Sequence, residues 1–327
     1  MPAVTTGQTL FVVVGALALE ATFGYPDWLY QRIGHPVSWI GQLISFLDRR
    51  LNRDGDAPAV RRNKGIVALG ILIVVTGAIA WMIEHVFDRV AFGAFFIALL
   101  ASTFIASRSL YNHVEAVARA LDQYGLEDAR SAVGRIVGRN PKTLDEHGVA
   151  RAAIESLAEN ASDGIVAPVF WLAILGLPGL VVYKAINTAD SMIGHRTPRH
   201  EAFGWASARL DDFVNLPASR LTALLLALAS VFTSGASVAG TLEAVSRDAS
   251  KHRSPNAGWP ESATAGALGL KLNGPKVYGE VRVEDAYMGD GRRDATAEDI
   301  RAALRLTTTA WGIMVSSLLL VAIILSG

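Results

Sequence analysis

Residues 65–83 (GIVALGILIVVTGAIAWMI), 90–107 (VAFGAFFIALLASTFIAS) and 307–327 (TTTAWGIMVSSLLLVAIILSG) run without a single charge. Each is close to the ~20 mostly apolar residues that a helix needs to cross a bilayer. Inside hydrocarbon every backbone N–H and C=O must find a partner within the protein, so such segments fold as packed helices. Residues 5–24 make a fourth candidate. Their apolar run has no Lys or Arg before it, contains Glu20, and precedes no Ala-x-Ala site, so it reads as a retained helix rather than a cleaved signal.

Composition agrees with the blocks. Charged residues are 18% of the chain and mean hydropathy is +0.32, against about 25% charged in soluble domains. Formal net charge is zero, which gives no basis for a nucleic-acid partner. The absence of cysteine excludes disulfides, thiolate zinc sites and Cys nucleophiles.

Two further segments are interrupted. Residues 165–183 (IVAPVFWLAILGLPGLVVY) hold Pro168, Gly176, Pro178 and Gly179, and 216–237 hold Pro217 and Arg220. Such interruptions mark broken or re-entrant helices that line a cavity. The expected fold is an all-α integral membrane protein: one multi-pass helical bundle over 1–327, with four to six membrane segments, two of them candidates for re-entrance.

Arg32, Arg49, Arg50, Arg53, Arg61, Arg62 and Lys64 place residues 25–64 in the cytoplasm by the positive-inside rule, and the short 84–89 loop outside. Residues 108–164 then form a cytoplasmic helical insert. In HVEAVARALDQYG, Val114, Val117, Ala118 and Leu121 share one face, and Gly125 closes the helix. Residues 238–306 read as a Gly/Pro-rich loop region, with a hairpin candidate in KVYGEVRVEDAYMGDG. Thr296 and Asp299 make a capping box ahead of the last span.

Polar residues crowd the ends of the interrupted segments. Directly after 165–183, YKAINTADSMIGHR sets Lys184, Asn187, Thr188 and Ser191 at i, i+3, i+4 and i+7, with Asp190 alongside. A helix at a water boundary could carry this stripe; so could one facing a polar cavity, since ionisable groups at membrane depth usually pair or serve a site. RAAIESLAENASDG spaces Arg151, Glu155 and Glu159 four apart and adds Asn160 and Asp163. ARLDDFVNLPASRL supplies Arg209, Asp211, Asp212 and Asn215. HRSPNAGWPES supplies Arg253, Asn256, Trp259 and Glu261. A shared site at the cytoplasmic mouth of both segments would explain the crowding.

Oxygen-rich groups of this kind suit Mg2+ with phosphates. His195 and His200 lack zinc-ligand spacing, and no P-loop, G-x-G-x-x-G or G-x-S-x-G occurs. GDGR near 289 reads as a turn. A bound nucleotide would be held by a non-P-loop route.

IESLAENASDGIVAPVF, YKAINTADSMIGHR, GWASARLDDFVNLPASRL and SPNAGWPESATAGALG, in this order, resemble the CobD/CbiB family of cobalamin biosynthesis, membrane adenosylcobinamide-phosphate synthases. The resemblance covers nearly the whole chain. It implies ATP-dependent joining of a propionate carboxylate of (adenosyl)cobyric acid to aminopropanol or its O-phosphate. It also implies a multi-pass protein of the cytoplasmic membrane, with its site facing the cytoplasm. On that chemistry Asp163, Asp190, Asp211 and Asp212 are expected at Mg2+, and Lys184 and Arg209 at the phosphates of ATP. Glu155 or Glu159 is the expected base. Asn160, Asn187, Ser191, Arg253, Asn256, Trp259 and Glu261 are expected at the corrinoid or the aminopropanol phosphate. Other pathway enzymes and a second copy of the chain are candidate partners. The residues alone leave a transporter and a non-catalytic membrane scaffold as competing classes, separated from a ligase by product chemistry.

Overall fold

A computed structural model describes residues 6–138, 140–278 and 281–327. In chain order the helices are α1 (Thr6–Phe23), α2 (Asp27–Ile33), α3 (Pro36–Leu51), α4 (Pro58–Phe87), α5 (Gly93–Ser102), α6 (Ser107–Gln123), α7 (Leu126–Val133), α8 (Glu146–Ala161), α9 (Ala167–Ile193), α10 (Trp205–Phe232), α11 (Val238–Asp248), α12 (Gly258–Leu268) and α13 (Ala297–Ser326). Strand is confined to two short antiparallel pairs among the described residues: β1 (Leu272–Asn273) with β4 (Tyr287–Met288), and β2 (Lys276–Tyr278) with β3 (Val281–Val283). The second pair is the expected hairpin.

Among the described residues, five helical stretches are long and apolar enough to cross a membrane: Pro58–Phe87, Gly93–Gln123, Glu146–Ile193, Trp205–Phe232 and Ala297–Ser326. A sixth is present if Gly7–Phe23 and Trp28–Leu51, bent by 104°, count together. The chain is an all-α multi-pass membrane protein, and the expectation of four to six segments holds.

The chain divides into two compact units. The first comprises Met1–Ala106, Ala167–Asn215 and Leu318–Gly327. Here α4 and α3 pack on α9, while α1 packs on α5 and α9. α4 shows why: Ala68, Leu69, Leu72, Thr76 and Ala80 repeat every three or four residues and are buried, while Ile66, Val67, Val74, Trp81 and Met82 are exposed. An apolar outer face of this kind suits lipid, because a helix in hydrocarbon needs no polar side.

The 165–183 segment is broken as its Gly and Pro residues suggest. Ser162–Val166 forms a π-helical turn joining α8 to α9, and Gly176 inside α9 leaves helical geometry at φ 64°, ψ −158°. A positive φ is strained for any residue with a Cβ, and Pro178 then restarts the helix where a missing N–H is tolerated. The 216–237 segment differs from the expectation. α10 runs unbroken from Trp205 to Phe232 with Pro217 inside it. Proline removes one bond, to the carbonyl four residues back, and the helix carries that loss without breaking.

The second unit comprises Ser107–Val166 and Leu216–Ser317. α8 is its centre: Val149, Ala150, Ala153, Ile154 and Leu157 are fully buried against α6, α7, α12 and β1. α6 is amphipathic as expected, with Val114, Val117 and Ala118 buried and Leu121 at the margin, and the Gly125 N–H closes it on Ala120 O at 2.9 Å. Half of the capping box forms: the Thr296 N–H donates to Asp299 Oδ2 at 2.7 Å, while Thr296 Oγ1 donates to the same oxygen at 2.9 Å.

The loop reading of 238–306 fails over two stretches. Val238–Asp248 and Gly258–Leu268 are helices, α11 and α12. Pro260 falls in the first turn of α12, where its missing N–H is harmless, and Pro260 to Ala265 are all buried. A Cβ on Gly266 would run into the Gly240 carbonyl, so the glycines that suggested a loop let α11 and α12 approach closely. Tertiary burial outweighs their low helix propensity.

Candidate functional site

In the first unit, the last turns of α9 and the first turns of α10 form a hydrogen-bonded polar cluster. Tyr183 Oη donates to Asn215 Oδ1 at 2.9 Å. Asn215 Nδ2 donates to Asp211 Oδ2 at 3.1 Å, and Asn187 Nδ2 to Asp211 Oδ1 at 3.3 Å. Lys184 Nζ reaches Asn187 Oδ1 at 3.5 Å. Asp211 is only 8% exposed and Asn215 is fully buried. A buried carboxylate is tolerable only when such donors replace its water.

Asp190 and Asp212 lie within electrostatic reach of Asp211. Asp212 pairs with Arg209 at 3.6 Å, and His195 acts on Asp190. Three carboxylates thus share a small volume with Lys184, Arg209 and His195 near them. The expected stripe is real but not uniform. Thr188 Oγ1 and Ser191 Oγ donate back to the carbonyls of Lys184 and Asn187 at 2.7 and 3.0 Å, so both hydroxyls serve their own helix.

Among the described residues, no group of three or more His, Asp or Glu is arranged to hold a metal ion. Mg2+ does not demand one: it keeps several waters and takes one or two carboxylates plus phosphate oxygens. Two of Asp190, Asp211 and Asp212, which lie within electrostatic reach of one another, would supply that number of carboxylates.

The remaining expected residues lie in the second unit. Glu155 is buried and accepts the Asn273 N–H on Oε1 at 2.8 Å. It thereby holds a backbone turn in which Asn273 has φ 56°. Glu159 is exposed at the end of α8, and Asp163 is half-buried in the π-turn. Asn160 Nδ2 donates to Ser156 O at 2.9 Å. Arg253 Nε pairs with Asp285 at 2.7 Å, and His252 lies 3.8 Å from Glu261.

Asn256 belongs to a tighter group. Its Oδ1 accepts from Ser219 Oγ and Arg220 Nη1, each at 3.1 Å. The Arg220 guanidinium lies 4.6 Å from the Trp259 ring centroid. The expected residues are therefore gathered as two sets. Lys184, Asn187, Asp190, Arg209, Asp211 and Asp212 meet in the first unit, and Asn256 and Trp259 meet around Arg220 in the second.

Three participants were not among the expected residues. Tyr183 gave no signal, being one more aromatic in an apolar run. Arg220 gave a clear one, as a charge inside an otherwise uncharged window. Asp248 is the third. It is buried and accepts from Arg247 Nη2 at 2.7 Å, Lys251 Nζ at 3.0 Å and the Gly289 N–H at 3.0 Å. Burial alone would raise its carboxyl; the three donors outweigh burial and push it down to about 2. This network ties the GDGR turn to α11.

A family model described as CobD/Cbib protein matches residues 13–307. A protein of Sinorhizobium sp. named cobalamin biosynthesis protein CobD is 48% identical over 318 residues, covering 96% of this chain and 98% of its own. The protein of that name from Rhizobium meliloti is 48% identical over 94% of this chain and 95% of its own, and that from Rhodobacter capsulatus 47% identical over 96% and 98%. No solved structure matches the chain. With a family model spanning most of its length and relatives near half identity end to end, this chain belongs to the CobD/Cbib protein family.

Proposed function

We propose that the chain is a cobalamin biosynthesis enzyme that joins a propionate carboxylate of (adenosyl)cobyric acid to aminopropanol or its O-phosphate, at the cost of ATP. The observation that carries this reading is the near-full-length similarity to proteins named for cobalamin biosynthesis. The polar cluster of α9 and α10 supports it, because it offers the groups that a phosphoryl transfer needs.

A carboxylate does not react with an amine until an oxygen is made a leaving group. A propionate oxygen attacks the γ-phosphorus of ATP, ADP leaves, and an acyl phosphate forms. The amine nitrogen then attacks the acyl carbon, inorganic phosphate leaves, and one proton passes to a base. Lys184 and Arg209 would offset charge on the transferring phosphoryl group. One or two of Asp190, Asp211 and Asp212 would hold Mg2+, which would supply further charge neutralisation on the phosphates. Glu155 or Glu159 would take that proton; Glu155 also holds the Asn273 N–H on one of its oxygens. Asn160, Asn187, Asn256, Trp259, Arg253 and Glu261 offer amide, indole and charged contacts to an amide-fringed corrinoid and its partner amine. The Lys/Arg bias of residues 25–64 supports a cytoplasmic face for this chemistry.

The broken helix at Gly176 is the feature that favours a transporter as a second reading. One experiment separates the two. Purified protein in lipid receives cobyric acid, aminopropanol phosphate and Mg·ATP, and the product is read by mass. A new amide with stoichiometric ADP supports the ligase. Intact substrates beside a folded protein that carries corrinoid into vesicles would support transport instead.

A further inference from the structure

Arg220 sits in α10 at the start of an uncharged stretch, LTALLLALASVF, and is half-buried. Its Nη1 faces three acceptors: Leu216 O at 3.1 Å, Ser219 Oγ at 3.0 Å and Asn256 Oδ1 at 3.1 Å. That nitrogen has two hydrogens, so its donors are fully spent. Trp259 covers a face of the guanidinium. The anchors are themselves fixed. Ser219 and Asn256 are buried and bonded to one another, and the Asn256 N–H is bound to Ser254 Oγ at 3.2 Å.

The other edge, Nε and Nη2, meets no acceptor among the described residues, and no Asp or Glu there lies within ion-pair distance of Arg220. A guanidinium cannot shed its proton, and placing it beside an apolar stretch costs free energy that an internal carboxylate ordinarily offsets. Asn, Ser and Trp orient this one without neutralising it. What remains is a rigid two-donor fork, the shape that grips two oxygens of a phosphate or carboxylate.

We propose that the Nε–Nη2 edge of Arg220 is an oxyanion receptor that takes the phosphate of the amine substrate. Naming the amine rests on the function proposed above; the receptor itself does not. A phosphate oxyanion could also come from ATP or from a lipid headgroup. ATP phosphates travel with Mg2+, and among the described residues no carboxylate lies within ion-pair distance of Arg220 to share that ion. The favoured ligand is a compact phosphate monoester bound without metal.

The test uses the full chain in lipid. In Arg220→Lys, the preference for aminopropanol phosphate over aminopropanol falls roughly 10- to 100-fold, the worth of a lost charge-assisted pair, while KM for ATP stays put. A raised KM for ATP with the amine preference intact moves the fork to the nucleotide and overturns the assignment. Activity that instead follows the anionic lipid content of the vesicle, again with the preference intact, overturns it in favour of a headgroup. An independent arm needs no variant and no ligation. Inorganic phosphate should protect Arg220 in the wild-type protein from an arginine-selective dicarbonyl, read by peptide mass. Protection without any amide product would keep the receptor and sink the proposed function. Equal labelling with and without phosphate sinks the receptor.

Discussion

Glu84 of α4 accepts the Leu177 N–H on Oε1 at 2.8 Å, and so caps the half-helix that begins where Gly176 breaks α9. The first N–H groups of a helix have no partner of their own. At membrane depth water does not supply one. A carboxylate meets both the hydrogen-bond demand and the positive end of the helix dipole.

Glu84→Gln keeps a carbonyl oxygen at this cap and should retain most of the stability. Glu84→Ala leaves the N–H bare and should cost about 1–2 kcal/mol. Gly176→Ala forces a Cβ into a positive-φ position against Glu84 and should cost a similar ~1–2 kcal/mol. Thermal unfolding in one detergent ranks the three. Equal melting of Gln and Ala variants at position 84 would remove the cap from the account.

Asp190→Asn should lower amide formation about 100-fold or more, the usual scale for a lost electrostatic group at a transferring phosphoryl, with unfolding unchanged. Raising Mg2+ should recover part of the loss. Asp211→Asn should behave differently. Asn187 and Asn215 both aim amide N–H groups at this carboxylate, so an amide there opposes donor to donor. Stability should fall by about 1–3 kcal/mol along with activity. Melting curves beside product yields distinguish the two aspartates.

Asp248 gives a pH dependence of definite sign. Its folded carboxyl is held at about 2 against 3.8 for a free side chain. The lowered value means that its contribution, about 2 kcal/mol, is fully present above about pH 4 and is lost as pH falls toward 2. Asp248→Asn should flatten that acid limb of the stability curve. Chemical unfolding of both proteins at several pH values checks it, and an identical acid limb would contradict the network.

Glu155→Gln preserves an acceptor for the Asn273 N–H, so the fold should hold. Glu155→Ala buries an unsatisfied N–H beside a left-handed Asn273 and should cost about 1–3 kcal/mol. If Glu159 is the base, Glu159→Gln loses amide formation and Glu155→Gln keeps it. The reverse pattern in the ligation assay would give the role to Glu155.

Much of the architecture was legible in the chain. Uncharged runs such as 65–83 can only be satisfied as helices in hydrocarbon, and their length decides the matter locally. The α6 face of Val114, Val117 and Ala118 and the Thr296–Asp299 box are likewise short-range patterns, complete within one or two turns. The Gly and Pro of 165–183 pointed to a break, and Gly176 makes it. The same residue types in SPNAGWPESATAGALG pointed to a loop where α12 forms. Composition cannot tell a glycine that breaks a helix from one, like Gly266, that lets two helices touch.

The site divides the same way. That Lys184, Asn187 and Asp190 project from successive turns after an apolar run follows from helical spacing alone. That Asn187 and Asn215 converge on Asp211, that Glu155 is committed to a backbone N–H, and that Arg220 keeps one edge of its fork open do not. Asn187 and Asp211 are 24 positions apart in sequence, Arg220 and Asn256 36, and Glu155 and Asn273 118. The sequence by itself determined the solvent of this protein, the helices that solvent demands and the residue types at their ends. Only tertiary structure decided which polar groups neutralise one another and which remain for a ligand, because hydrogen bonds act over about 3 Å in space and take no account of distance along the chain.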